Sequence, residues 1–223
     1  MTRRMFLPLI FGLAGCAILI GLGTWQVQRL AWKEGVLADI EARIAADPVP
    51  LPLAPDPQAN RYLPVRAEGL LTGEELRVLA SIKRVGAVHR LVSVLETGGR
   101  RVLVDRGYIR TQIDPDPAQG PVTVLGNLHW PEETDRFTPA PDPAAGLWFA
   151  RDVDAMAEAL TAEPLMIVAR EMSDFDPPVT PLPVDTSHIP NDHLEYAITW
   201  FSLAAVWAGM TAFLLWRIRQ KTV

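Results

Sequence analysis

Two stretches of this chain contain no charged residue: Met5–Gly23 (MFLPLIFGLAGCAILIGLG) and Ala197–Trp216 (AITWFSLAAVWAGMTAFLLW). At about 1.5 Å per residue, each would reach roughly 30 Å as a helix, the hydrocarbon thickness of a bilayer. Backbone polar groups cannot stay unpaired in hydrocarbon, so a membrane helix near each end is the solution open to such runs. The first run could instead be a secretory signal, with Arg3 and Arg4 ahead of it and small residues at Gly21-Leu22-Gly23. Its length and the helical pattern that continues beyond Gly23 favour an uncleaved anchor. Arg3-Arg4 also resembles a twin-arginine export signal. The very apolar run behind the pair favours the plainer reading, a positive flank of a membrane anchor.

Charge is sorted along the chain. All 26 acidic residues lie between Glu34 and Glu195, and 16 of the 21 Lys and Arg lie between the two apolar runs. The remainder are Arg3, Arg4, Arg217, Arg219 and Lys221, at the outer ends of the runs. Positive flanks stay cytoplasmic, which puts both termini inside and the acidic middle segment outside. Arg29 and Lys33 run against that rule, but they precede a long translocated segment, where charge counting weakens. An acidic segment excludes the basic footprint that nucleic-acid binding needs. The single cysteine, Cys16, lies in the first run, so no intramolecular disulfide can staple the middle segment.

After Gly23, TWQVQRLAWKEGVLADIEARIAADP keeps a helical period, with Trp25, Arg29 and Trp32 at i, i+4, i+7. The helix should end before Asp47-Pro48. PVPLPLAPDPQAN reads as an extended linker. From Arg61 onward the chain reads as strands: 62–71, 75–82, 90–96, 101–109, 122–129, 147–150 and 165–170. A hairpin is expected at Gly98-Gly99, and a short helix at 152–160 with Asp152 as N-cap. The expected organisation is a transmembrane helix (1–23), a helix extension and Pro-rich linker (24–60), a mainly β domain (61–172), a second Pro-rich linker (173–190), a second transmembrane helix (191–216) and a cytoplasmic tail (217–223). The expected fold class is therefore two transmembrane helices flanking a mainly β extracytoplasmic domain, an antiparallel barrel or sandwich with some α+β character.

Enzyme chemistry is not legible. There is no Gly-rich phosphate loop, no G-x-S-x-G elbow, no C-x-x-C and no H-E-x-x-H. Asp185, Ser187 and His188 are triad residue types, but crowded into one proline-rich linker they cannot take up triad geometry. His89 and His129 are expected to cap strands or face solvent, and the Asp-Pro pairs around Asp114 and Asp116 read as turns. The chain is expected not to be an enzyme.

Polar chemistry gathers where the two helices would leave the bilayer. Trp25, Gln26, Arg29, Trp32 and Lys33 lie on the first helix, and Asn191, Asp192, His193, Tyr196 and Trp200 on the second. Interfacial Trp and Tyr and snorkelling cations are ordinary. His193 is less easily dismissed. Pro190-Asn191-Asp192, with Glu195 three residues after Asp192, marks a helix start that places His193 in the first turn. A helix start disfavours an imidazolium, and a neutral imidazole keeps a lone pair for iron. Trp200 follows seven residues later on the same face, with Tyr196 between. Arg29 or Lys33 could meet the propionates of a haem, and Trp25, Trp32 or Trp200 could flank its ring.

These residues resemble a known family. LGTWQVQRLAWKEGVL is similar to the first-helix signature of the surfeit locus protein 1 family at Gly23, Trp25, Gln26, Arg29, Trp32 and Lys33. VLVDRGYI resembles its strand motif, with Asp105 and Tyr108 in place of the usual Asn and Trp. PNDHLEYAITWF resembles the opening of its second helix, with Asp192 where Asn is commoner. The resemblance implies an assembly factor for haem–copper terminal oxidases (cytochrome c oxidase). It implies transient binding of haem a through His193 and support for haem insertion into subunit I, with haem a synthase and membrane lipid as further partners. The alternative is a non-haem scaffold or chaperone that stabilises an oxidase assembly intermediate. With no transit peptide apparent, a bacterial inner-membrane member with a periplasmic central domain is expected.

Overall fold

The computed structural model describes residues 3–142, 146–173, 179–187 and 189–220. The chain divides into two units, Met1–Asp39 with Thr186–Val223, and Ile40–Asp185.

The first unit is a helix pair. Helix α1 runs unbroken over Arg3–Ile44, its last turns passing into the second unit, and α3 covers His193–Gln220. Both are long and apolar enough to cross a membrane. The helices pack antiparallel because α1 supplies hollows where α3 supplies bulk. A Cβ added to Gly15 would stand 2.3 Å from the Trp207 indole nitrogen, and one on Gly23 would stand 2.7 Å from the Phe201 ring. Thr211 fills the equivalent space at Gly12. Lipid tails offer no hydrophobic gain for helix association, so close backbone approach at small residues and interhelical hydrogen bonds hold such pairs.

The second unit is a mixed α+β sheet. Its strands are β1 (Val49–Pro50), β2 (Pro64–Ile82), β3 (Gly86–Thr97), β4 (Arg100–Arg110), β5 (Gln119–Leu128), β6 (Leu147–Trp148) and β7 (Glu163–Met172), with helix α2 at Val153–Ala159. The main path is β1-β2-β3-β4-β7-β5, and β2 also pairs with β5. The antiparallel barrel expected from strand count is corrected here. The domain is a mixed sheet rather than a closed barrel, with β4–β7, β1–β2 and β6–β2 parallel. The long connection through β5 and α2 is what returns β7 alongside β4 in the same direction.

The two strands expected at 62–71 and 75–82 are one strand. Thr72-Gly73-Glu74 forms a register break, not a turn, so the first part of β2 pairs with β5 and the second with β3. The hairpin is where the glycines placed it: Gly98 and Gly99 have φ of 56° and 77°, as a two-residue turn of this hand requires. Asp152 caps α2 by accepting from the Ala155 N–H at 3.1 Å.

The sheet is covered on both faces. Val102 and Val104 join a core with Val65, Leu95, Val124 and Ile167, whereas Leu103 faces Met156, Met166 and Trp148 in a second core beneath α2. Consecutive apolar residues in β4 therefore reflect burial on both sides rather than a helical segment.

Candidate functional site

The DRG segment of β4 turns out to be architecture. Leu91 pairs with Gly107 and Val92 with Asp105, leaving Arg106 as the extra residue of a bulge. Gly107 takes φ 116°, and a Cβ there would lie 2.1 Å from the Thr180 carbonyl oxygen. Its N–H donates to Asp105 Oδ1 at 3.1 Å. The fully buried Asp105 also accepts from Arg90 (3.0 and 2.5 Å) and Arg151 (2.9 Å), and Arg151 in turn grips Glu133. Burial alone would raise the Glu133 pKa, but the Arg151 guanidinium and backbone N–H hold it below the usual range. Across the bulge, Arg106 pairs with Glu75 at 2.9 Å, and Ser93 donates to the same carboxylate at 3.0 Å. Each of these charges is met by an opposite one, as buried ions require.

His129 stands just past the end of β5, as expected, whereas the expectation that His89 caps a strand or faces solvent is corrected. His89 lies within β3, half-buried, and burial lowers its pKa with help from Arg77. His129 is half-buried and stacked on Tyr62, ring centroids 5.4 Å apart. Burial lowers its pKa to about 4, assisted by the positive charges of Arg151 and Arg61. Neither histidine belongs to a group of three or more His, Cys, Asp or Glu that could hold a metal among the described residues. His188 lies outside the described residues, so the crowded Asp-Ser-His grouping has no geometry to report.

In the helix pair, α3 begins at His193. The Tyr196 N–H reaches the Asp192 carbonyl at 3.2 Å, closing the first turn after Pro190. On α1, Gln26 follows the packed Gly23 by three residues, so it lies on the face turned to α3 and only 8% of it is exposed. The two residues meet: His193 Nδ1 is 2.8 Å from Gln26 Oε1. An amide oxygen accepts but cannot donate, so Nδ1 carries the proton and a neutral ring keeps its lone pair on Nε2. Beside this pair, Asn191 Oδ1 is buried with no hydrogen-bond partner among the described residues.

The remaining expected site residues divide by face. Lys33 lies seven residues beyond Gln26, within about 20° around the helix axis, and is half-buried. Trp200 stands in the same relation to His193 and is also half-buried. Trp25 and Trp32 lie about 100–120° away from Gln26 around α1, and each is more than half exposed. The Arg29 guanidinium lies 3.8 Å from the centroid of the Trp32 ring, on that exposed side. Tyr196 is likewise exposed.

In the sequence Gln26 stands among the rim residues and in the first-helix motif, without a role in the site. Its signal was spacing: Gly12, Gly15, Leu19, Gly23 and Gln26 recur every three or four residues, the stripe that packs on α3. A polar residue on such a stripe must find its partner on the other helix.

The sequence matches the SURF1 family model over residues 13–205. Surfeit locus protein 1 from Rattus norvegicus is 32% identical over 217 residues, covering 85% of this chain and 69% of the relative. The Homo sapiens protein is 34% identical, covering 83% and 70%, and that of Takifugu rubripes 30%, covering 87% and 91%. The match takes in most of α1, the first half of α3, the Trp-Gln and Asn-Asp-His segments and the bulged β4 between them, and on that extent the chain belongs to the SURF1 family.

Proposed function

We propose that this chain is a membrane-anchored assembly factor for cytochrome c oxidase that binds haem a at the rim of its helix pair and supports haem insertion into subunit I. SURF1 proteins are known as assembly factors of this oxidase. The observation that carries the haem reading is the half-buried His193 imidazole, whose Nδ1 is occupied by Gln26 and whose Nε2 is left with a lone pair.

The donor set suits a haem better than a bare metal ion. A bare ion needs three or four protein ligands, whereas a porphyrin brings four nitrogens of its own and asks the protein for one or two. His193 would hold the haem iron, Trp200 would lie against the porphyrin, and Lys33 would meet a propionate. The haem would supply the iron–imidazole bond and the spectrum by which loading is read. The proposed location is the bacterial inner membrane, with both termini cytoplasmic and the β domain periplasmic. The cations Arg217 and Arg219 in the last turn of α3 support that orientation. Haem a synthase is a proposed donor and membrane lipid a proposed contact.

A specific observation favours a second reading, a scaffold for an oxidase subunit. Trp25, Arg29 and Trp32 form an exposed aromatic and cationic face on α1. Co-expression with haem a synthesis, followed by absorption spectroscopy of the purified chain, separates the two. The haem reading expects His193→Ala to lose the Soret band. A variant with parental stoichiometry and spectrum would remove His193 as ligand. Subunit pull-down abolished by Trp25, Arg29 and Trp32 substitutions, yet intact in His193→Ala, would favour the scaffold.

A further inference from the structure

The geometry points to Gln26 as the positioning residue that fixes which nitrogen of His193 is available to iron. The first part concerns the haem-free chain alone; only its consequence for ligation rests on the haem reading above.

In water a neutral histidine side chain favours the proton on Nε2, which would leave Nδ1, the nitrogen nearer the backbone, as the base. His193 is held the other way. Its Nδ1 lies 2.8 Å from the Gln26 carbonyl oxygen, a group with lone pairs and no hydrogen. Gln26 is itself constrained: only 8% of its surface is exposed, and one turn below it Gly23 is packed against the Phe201 ring. Withdrawing His193 would leave the buried Gln26 amide oxygen without this donor, which opposes separation of the two side chains. With that oxygen facing the ring, the proton sits on Nδ1 and the lone pair is presented on Nε2, the outer nitrogen.

Histidines that bind metals usually donate the other ring N–H to a carboxylate, carbonyl or water, which sets the tautomer and the ring's orientation. Here the acceptor comes from the opposite helix, so the ligand is correctly posed only when α1 and α3 are packed. A neutral amide polarises the ring less than a carboxylate would. That leaves the imidazole a weaker donor, in keeping with a haem that is to be handed on.

The test uses the full chain in one detergent, with ¹⁵N-labelled histidine, at a pH where the imidazoles are neutral. The His193 resonances are assigned by comparison with His193→Ala. The parent is expected to show His193 protonated on Nδ1. Gln26→Leu should move it toward the Nε2–H form, and Gln26→Glu, which keeps an acceptor oxygen at the same reach, should restore the parent's form. Haem affinity should fall roughly 10- to 100-fold in Gln26→Leu, the range seen when such outer partners are removed, and recover in Gln26→Glu. An unshifted tautomer in Gln26→Leu overturns the assignment, as does failure of Gln26→Glu to rescue it. A shifted tautomer with unchanged haem affinity overturns the link to iron. If both Gln26 results hold yet His193→Ala keeps the parent's haem spectrum, the haem reading has failed and the tautomer assignment has not.

Discussion

The indole N–H of Trp207 donates to the backbone carbonyl of Gly12 across the helix pair, at 3.1 Å. The bond exists because Gly15, one turn along, has no side chain where the ring lies. Trp207→Phe keeps the ring bulk and deletes the donor. Interhelical hydrogen bonds in membranes average about 0.6 kcal/mol and reach about 1.7. Loss of stability within that range is expected, read as a modest fall in the thermal midpoint in detergent. Gly15→Leu should cost more, because it forces α1 and α3 apart. The effect should reach the far end of the pair, weakening the His193–Gln26 contact although neither residue has changed.

A second prediction concerns Gly107. Any other residue there would hold φ near 116° and drive its Cβ to 2.1 Å from the Thr180 carbonyl oxygen. Positive φ alone costs about 1–2 kcal/mol for a side chain of this hand, and the clash adds to it. Gly107→Ala should destabilise the sheet domain by roughly 2–4 kcal/mol, measured by denaturant unfolding of the full chain. Spectral changes should concentrate on β4 and the segment around Thr180. A variant as stable as the parent would mean that β4 sheds its bulge readily.

His129 makes stability depend on pH in a definite direction. Its pKa in the folded chain is lowered to about 4 from an ordinary value near 6.5, chiefly by burial and then by Arg151 and Arg61. The neutral form is therefore favoured by folding. Its contribution is complete above about pH 6.5 and is lost as pH falls through the interval down to about 4. The shift corresponds to at most about 3–4 kcal/mol, less for a ring still partly reached by solvent. His129→Phe keeps the stacking on Tyr62 and removes the titration. Unfolding followed across this interval should give a flatter profile for the variant. His89, shifted the same way by burial, contributes any slope that remains. Glu133, Glu74 and Glu163, whose pKa values are lowered, act further toward acid.

How much of this was legible beforehand depended on how local each cause was. The two long apolar helices, the Gly98-Gly99 hairpin and the Asp152 cap follow from continuous local stretches of sequence, and they stand in the structure as read. Thr72-Gly73-Glu74 separates two expected strands because breaker residues mark where a chain can bend, not whether its pairing resumes beyond. Asp105 and Gly107 were visible as a motif. Their purpose was not, because it depends on Arg90, Arg151 and Thr180, up to 73 positions away in sequence. His193 was singled out from its place at a helix start. Gln26 was visible at the same rim, but not its role, because that role comes from the opposite helix.

The last prediction concerns which cation would hold a haem propionate. Arg29 and Lys33 were equivalent candidates when judged by membrane depth alone, but the structure separates them. The Arg29 guanidinium is spread over the Trp32 ring, 3.8 Å from its centroid, on the exposed side of α1. A cation–π contact there already employs the charge, at a worth of about 0.5–1 kcal/mol for an exposed pair. Lys33 lies half-buried on the Gln26 side, about two helical turns and roughly 10 Å further along α1. Partial desolvation strengthens a charged hydrogen bond to a carboxylate relative to an exposed one. Lys33→Gln should therefore weaken haem retention by up to about tenfold, equivalent to about 1.4 kcal/mol, while leaving the axial ligand's spectrum in place. Arg29→Gln should change affinity less than Lys33→Gln does. Haem titrations of both variants and of His193→Ala in one detergent give the comparison. If Arg29→Gln is the more damaging, the propionates lie on the exposed aromatic side of α1, and haem approaches His193 from the Trp25–Trp32 face.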